Sequence, residues 1–263
     1  MTQTINEFGI NQLRNMDCIE GMKLIPDNSV DLIVADPPYY QVKGDFDFIW
    51  KSEKAYLDWF YQCLNEFHRI LKPNGTLMLW GGLGKEKTTL CRIAIHIEDN
   101  NLFTLQNWIT QRNTRGIGTK RNYMSAREEL LFLTKDKKEY TFNVPYTEEK
   151  SKRKDLGANG KPRKNEFKRV SNVWNDIAEA SQSSIERCFH PTVKALKLCD
   201  RIITTHSNPD DIVFIPFIGS GSEIISCIKN NRQYMGTELS EDYFGQAIDR
   251  IKSFCPQFGA EEA

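Results

Sequence analysis

The chain alternates between short, continuously apolar runs and longer stretches whose apolar positions recur every three or four residues. Val30-Asp-Leu-Ile-Val-Ala35 is a run of the first kind, β-branched and closed by Asp36-Pro37-Pro38. It predicts a buried parallel strand followed by a stiff turn. Tyr56, Trp59, Phe60, Cys63, Leu64, Phe67, Ile70 and Leu71 fall at helical spacing within residues 53–71. Lys72-Pro-Asn-Gly75 ends that helix, and Thr76–Trp80 is the next strand. A helix over about 85–98 and a strand near 102–110 follow. The alternation returns with a helix over 192–205, the strand Ile212–Ile215, a glycine-rich turn at 219–221 and a helix to about 230. The strand Gln233–Thr237 and a last helix over 240–254 complete it. Strands and helices joined by short connections predict βαβ units, hence an α/β protein with a doubly wound, mostly parallel sheet.

Residues 111–170 break this rhythm. They are rich in Asn, Lys, Arg and Gly, carry one clear strand at Glu129–Thr134, and read as a mobile loop over 148–166. The division this implies is a sheet domain from 1–110 and 186–263, with an insertion at 111–185. Charge sharpens the picture. The whole chain balances 35 Lys+Arg against 35 Asp+Glu, but residues 111–170 hold 17 basic and 8 acidic side chains. The flanks are acidic: 10 basic against 14 acidic in 1–110, and 8 against 13 in 171–263. A local basic block is the footprint of a nucleic-acid contact; a solvated Lys-rich surface is the other reading.

Composition excludes several classes. Over 263 residues the hydrophobic share is 40%, the charged share 27% and the mean hydropathy −0.53, as in soluble globular proteins. No run approaches the ~18 apolar residues of a membrane span. The start, Met-Thr-Gln-Thr-Ile-Asn-Glu, has no basic or apolar signal region. Seven scattered cysteines without a C-x-x-C pair predict reduced thiols and a cytoplasmic protein. Four histidines without close pairing predict no metal site.

Two motifs carry candidate chemistry. Phe217-Ile-Gly219-Ser220-Gly221-Ser222 lies between a predicted strand and helix, where small residues admit a ligand to the backbone and a helix N-terminus offers free N–H groups. Glu238 ends the next strand, 19 residues beyond Gly219, the separation at which an acidic residue accepts from a ribose diol. The pair predicts a nucleoside-bearing cofactor, although a tight turn and an exposed helix-starting Glu would leave the same trace. Asp36-Pro37-Pro38-Tyr39 stands at the carboxyl end of the first strong strand, where open α/β sheets bind ligands. The Asp36 carboxylate and Pro37 carbonyl are two rigid acceptors suited to an exocyclic –NH2, and Tyr39 offers a stacking face. A simple proline turn is the alternative.

Together, Asp36-Pro-Pro-Tyr39 and Phe217-x-Gly-Ser-Gly221 resemble the amino-group DNA methyltransferases, which use S-adenosylmethionine to methylate N6 of adenine or N4 of cytosine. The order of the motifs, with a basic region between them, resembles the circularly permuted β group found in restriction-modification systems. The resemblance implies a Rossmann-like, seven-stranded sheet and a flipped base in double-stranded DNA. Gln12-Leu-Arg-Asn-Met-Asp17-Cys18 matches the strand whose Asp-Cys end contacts the cofactor adenine. Leu24-Ile-Pro-Asp-Asn-Ser-Val-Asp-Leu-Ile is also similar to family members. His190-Pro-Thr-Val-Lys194 is similar to the His-Pro-Thr-x-Lys-Pro motif beside the methionine end. Cofactor contacts are thereby implied at Asp17, Cys18, His190, Lys194, Pro216, Phe217, Gly219, Ser220, Gly221 and Glu238. Catalysis is implied at Asp36, Pro37, Pro38 and Tyr39. DNA contacts are implied at Arg112, Arg115, Lys120, Arg121, Asn122, Tyr123 and Arg127, and closure over the flipped nucleotide at loop Gln41–Ser52.

An Asp at the first motif position resembles the N6-adenine members, with N4-cytosine the alternative. Two departures stand out: Ile215 where the family has Asp, and Ala195 where it has Pro. They motivate a rival reading, a DNA-binding pseudo-enzyme or regulatory subunit with weakened cofactor binding. An RNA or protein methyltransferase with a related motif is another. A cognate restriction endonuclease and a homodimer fit the resemblance, and no residue pattern compels either.

Overall fold

A computed structural model describes residues 7–42, 45–82, 88–117, 120–121, 123–150, 166–178, 180, 186 and 188–258. In chain order the elements are β1 (Gln12–Asn15), α1 (Cys18–Lys23), β2 (Val30–Ala35), α2 (Glu53–Ile70), β3 (Leu71–Gly81) and α3 (Thr89–Asp99). β4 (Thr104–Ile117), β5 (Ser125–Thr134), β6 (Tyr146–Lys150), β7 (Phe167–Arg169) and β8 (Val173–Trp174) follow. The last are α4 (Leu196–His206), β9 (Ile212–Ile215), α5 (Ser222–Lys229), β10 (Gln233–Glu238) and α6 (Glu241–Phe254).

The main sheet runs β1-β10-β9-β2-β3-β5-β4-β8, parallel from β1 to β3, with β5 antiparallel to both its neighbours. It has eight strands among the described residues rather than seven. The addition is β8, two residues that pair with β4 through Val173 and Trp174; a pair so short leaves no periodicity to read. β6 and β7 form a separate antiparallel pair. The loop expected over 148–166 thus begins inside β6, while residues 151–165 lie outside the described set.

Alternation along each strand sorts side chains onto two faces. Ile33, Ala35, Leu77, Leu79 and Phe214 join the core under α1, α2 and α3, whereas Leu32, Val34, Met78, Val213 and Ile215 join the core under α4, α5 and α6. Burial on both faces explains why β2 reads as a continuous apolar run. Helix α2 is N-capped by Ser52, which accepts from the Ala55 N–H at 3.2 Å. It buries Tyr56, Phe60, Cys63, Leu64, Phe67 and Ile70 on one stripe. No helix among the described residues is long and apolar enough to cross a membrane.

Two features of the middle region differ from the sequence reading. β4 runs straight through the boundary drawn at residue 110, and β5 lies centrally between β3 and β4. The β4–β5 hairpin therefore starts in the core, where Leu130, Leu131 and Phe132 are buried, and extends out past the carboxyl edge of the parallel strands. At the other edge β1 pairs in parallel with β10, with Asn15 opposite Glu238. The N-terminal strand thus sits beside the penultimate element of the chain, as a permuted order requires.

Candidate active site

The carboxyl ends of β1, β10, β9 and β2 gather the sequence motifs at one edge. At the end of β9, Gly219 and Gly221 adopt φ of +51° and +75°, the left-handed region that glycine tolerates. A Cβ on Gly219 would meet His190 Nε2 at 3.2 Å, and one on Gly221 would meet Ile251 Cδ1 at 3.0 Å. The turn is held from below by Arg250 of α6, whose guanidinium donates to the Ser220 carbonyl at 2.7 Å and to Ser222 Oγ at 3.1 Å. The Pro216 carbonyl accepts from Thr237 Oγ1 at 2.7 Å, and Phe217 packs against the first core, 6.1 Å from the Trp59 ring.

Glu238 closes this pocket. Its Oε2 accepts the Gly219 N–H at 2.9 Å and its Oε1 the Ser240 N–H at 3.0 Å. Burial lifts its carboxyl above the ordinary glutamate value, against the pull of the backbone N–H groups. Asp17 caps α1, accepting from Ile19 and Glu20 N–H at 2.9 and 3.2 Å. The Cys18 thiol is buried, 3.9 Å from Cys63 Sγ, so its side chain belongs to the core. His190 lies over Gly219, stacks on Phe46 at 5.8 Å and meets Tyr243 edge-on at 4.9 Å. Ile215 is 1% exposed and points into the second core, which explains how an apolar residue is accommodated there.

The Asp36-Pro37-Pro38-Tyr39 turn follows β2 and is clasped by residues the sequence reading passed over. Asp47 is buried and its Oδ1 accepts the Tyr39 N–H at 2.6 Å; its carbonyl accepts the Gln41 N–H at 2.8 Å. The Pro38 carbonyl accepts from the Tyr56 hydroxyl at 2.7 Å. Tyr40 and Gln41 both take positive φ, 61° and 57°, a costly conformation for side-chain-bearing residues that marks functional turns. The Tyr39 ring lies on Gly82, where a Cβ would come within 2.4 Å of it. Its hydroxyl donates to Asp36 Oδ1 at 2.5 Å. In the loop Gln41–Ser52, Val42, Phe48 and Ile49 are exposed and Trp50 packs on Trp59; Lys43 and Gly44 lie outside the described residues.

Lys194 borders the glycine turn through its carbonyl, which accepts from Ser222 Oγ at 2.9 Å, and sends its side chain toward Asp36. Its Nζ is 3.2 Å from Asp36 Oδ2 and 2.7 Å from Glu128 Oε2, and it sits 4.5 Å from the centre of the Trp80 ring. Burial raises the Asp36 carboxyl, and Lys194 opposes that rise. Burial alone would lower the lysine, but the two carboxylates outweigh it and hold the ammonium above its ordinary value.

The basic candidates cluster on the β4–β5 hairpin. Arg112 and Arg127 are directly opposite in register, and Arg127 Nε lies 3.0 Å from Glu129 Oε1. Lys120, Arg121 and Tyr123 occupy the tip and are exposed, Tyr123 completely. Arg115 lies in β4 with its side chain outside the described set, and so does Asn122 as a whole. Among the described residues no cluster of His, Cys, Asp or Glu could hold a metal ion.

A doubly wound sheet with a left-handed glycine turn, a carboxylate beside it and an Asp-Pro-Pro-Tyr turn on the adjacent strand defines a Rossmann-like protein with its candidate site at the carboxyl edge. The chain belongs to the DNA methylase family, whose profile matches residues 30–249. It is 33% identical over 256 residues to the DNA adenine methyltransferase YhdJ of Escherichia coli, covering 94% of this chain and 84% of that protein. It is likewise 33% identical over 244 residues to the type II methyltransferase M.HpaI of Haemophilus parainfluenzae, covering 90% and 73%. Among solved structures, the M1.HpyAVI–SAM complex superposes with a TM-score of 0.64 at 24% identity, covering 91% of this chain and 98% of that one.

Proposed function

We propose that the protein transfers the methyl group of S-adenosylmethionine to N6 of an adenine in double-stranded DNA. The observation that carries this reading is Asp36, fixed at the tip of β2 on the same edge as Gly219 and Glu238, with the basic hairpin rising beside it. The residues fit the cofactor: the glycine turn takes the left-handed backbone at Gly219 and Gly221, and Glu238 beside it is a two-oxygen acceptor suited to a ribose diol. When bound, the cofactor supplies a sulfonium methyl group.

The protein's own work is positioning and electrostatics. A flipped adenine amine donates to Asp36 and the Pro37 carbonyl, which draws the nitrogen lone pair out of the ring. To reach Asp36 Oδ1 the amine displaces the Tyr39 hydroxyl, freeing that ring to meet the base. Asp36 and the Pro37 carbonyl would hold the amine with its lone pair facing the methyl group that the bound cofactor would supply. The methylated nitrogen then sheds one proton, for which the Asp36 carboxylate is the acceptor in reach. The outer end of the β4–β5 hairpin serves target recognition, presenting Arg112, Lys120, Arg121, Tyr123 and Arg127. Adenine is supported by Asp at the first motif position and by the name of the Escherichia coli relative. The same reading puts the enzyme in the cytoplasm, with a cognate restriction endonuclease as a proposed partner.

Purified protein incubated with tritiated S-adenosylmethionine and duplex DNA tests this, with the product digested to nucleosides and separated. Label is expected in N6-methyladenine. Label in N4-methylcytosine corrects the base, and label confined to RNA or protein refutes the reading.

A further inference from the structure

The ammonium of Lys194 is 7% exposed and bridges two strands that the sequence keeps far apart. Glu128, at the start of β5, holds it at 2.7 Å, and Asp36, at the end of β2, holds it at 3.2 Å. The Tyr39 hydroxyl stands 3.4 Å away. The backbone is fixed as well, because the Lys194 carbonyl accepts from Ser222 Oγ at 2.9 Å. A buried carboxylate left without its cation is strongly disfavoured as an ion. We propose that Lys194 and Glu128 are positioning residues that set the charge of Asp36: Lys194 keeps it ionised and aimed, and Glu128 keeps the ammonium from closing on it. The inference rests on the methyl-transfer reading above.

The groups facing Asp36 come from four directions. Tyr39 lies on its own turn, Glu128 on β5 and Lys194 before α4, while Glu223 on α5 stands behind with the Cys199 thiol of α4 bonded to it. Burial and Glu128 favour a protonated Asp36, and Lys194 with the Tyr39 hydroxyl opposes them; the Asp36 charge in turn raises the Glu223 carboxyl. A protonated Asp36 has lost acceptor capacity for the substrate amine and cannot take its proton. Glu128 has the complementary task. An ammonium closing on Asp36 Oδ2 would draw charge and aim away from the Oδ1 that accepts the amine, and the shorter contact to Glu128 holds it back. Two carboxylates around one ammonium also leave the site net negative, matching the positive charge that moves onto nitrogen during transfer.

The test uses two readouts on wild type, Lys194→Met, Lys194→Arg and Glu128→Gln. One is the carboxyl 13C titration of Asp36 in aspartate-labelled protein, assigned with Asp36→Asn. The other is the pH profile of single-turnover methyl transfer at saturating cofactor and DNA. Lys194→Met is expected to raise the Asp36 titration and the acid limb together by about one to three pH units. Lys194→Arg restores both, and Glu128→Gln moves both down. If Lys194→Met fails to fold by circular dichroism, the downward shift in Glu128→Gln carries the decision. An unmoved titration in Lys194→Met with weakened cofactor binding overturns the proposal and returns the lysine to the cofactor site. An unmoved or upward shift in Glu128→Gln overturns the role of Glu128. Wild type that labels no DNA while the titrations shift as stated refutes the methyl-transfer reading and leaves the charge-setting pair standing.

Discussion

Replacing Glu238 probes the cofactor pocket most directly, because both of its oxygens are already fixed by backbone N–H groups at 2.9 and 3.0 Å. A carboxylate oxygen has capacity for a second bond, so each can also accept one hydroxyl of a ribose diol. Hydrogen bonds to a charged group contribute about 1.5–3 kcal/mol net. Glu238→Gln keeps the shape and one acceptor but loses the charge, so about 1.5 kcal/mol, or roughly tenfold in Kd, is expected. Glu238→Ala loses both bonds and leaves the Gly219 N–H without its acceptor; about 3 kcal/mol, or roughly 100-fold, is expected. Burial raises the Glu238 carboxyl, and the diol needs the ionised form, so wild-type affinity falls as pH drops through that raised value. The Gln variant loses this pH dependence. Titration calorimetry with S-adenosylhomocysteine measures each Kd, with thermal melts confirming that the variants are folded. A Kd for Glu238→Ala within about twofold of wild type, some 0.4 kcal/mol, would refute the assignment of the pocket.

Three further outcomes are expected. Asp36→Ala lowers methyl transfer by about 10²–10⁴-fold while cofactor affinity is retained, and full activity in single-turnover assays removes Asp36 from catalysis. Arg112→Ala and Lys120→Ala each reduce the slope of log affinity against log salt by about 0.9 if each neutralises one phosphate, and an unchanged slope in DNA titrations excludes those contacts. His206 is buried against Phe132, and burial lowers its imidazole to about 3. The unfolded chain takes up that proton near pH 6.5 and the native state does not, so stability falls by about 1.4 kcal/mol per pH unit between 6.5 and 3. Chemical denaturation of His206→Phe across that range should lack this component, and an identical pH slope would sink the argument.

Local pattern was enough where the physics is local. The strand Val30–Ala35, the stripe of α2 and the Gly219–Glu238 pair were readable because periodicity and separation follow from burial and from one βαβ unit. The start of α4 was not. His190-Pro191 suggested a helix from 192, but the segment remains irregular until Leu196, held by the Ser222–Lys194 bond and by His190 over the glycine turn. The place of β5 was hidden for a different reason. Its apolar run at Leu130–Leu133 names a strand, but only long-range pairing puts that strand antiparallel between β3 and β4. Asp47, Arg250 and Glu128 escaped notice because each acts on a backbone or charge remote in sequence and sits in no motif of its own.

Topology explains how so neutral a chain assembles this edge. Asn15 and Met16 reach the Glu238 carbonyl at 2.7 and 3.0 Å, closing β1 onto β10 although the chain begins at one and nearly ends at the other. The cleft is therefore indifferent to where the chain starts; what matters is that β10, β9 and β2 lie side by side. Two strand spacings, about 10 Å, separate the ends of β10 and β2, so one extended molecule laid across β9 reaches both Glu238 and Asp36. On the far side of β2, β3 is followed by the reversed strand β5, and this single reversal brings two opposite charges to the same edge. Residues 111–127 carry the arginines out past it, and the next residue, Glu128, turns back to the ammonium beside Asp36. The zero net charge of the chain thus conceals a basic hairpin and an acidic catalytic edge joined by one strand.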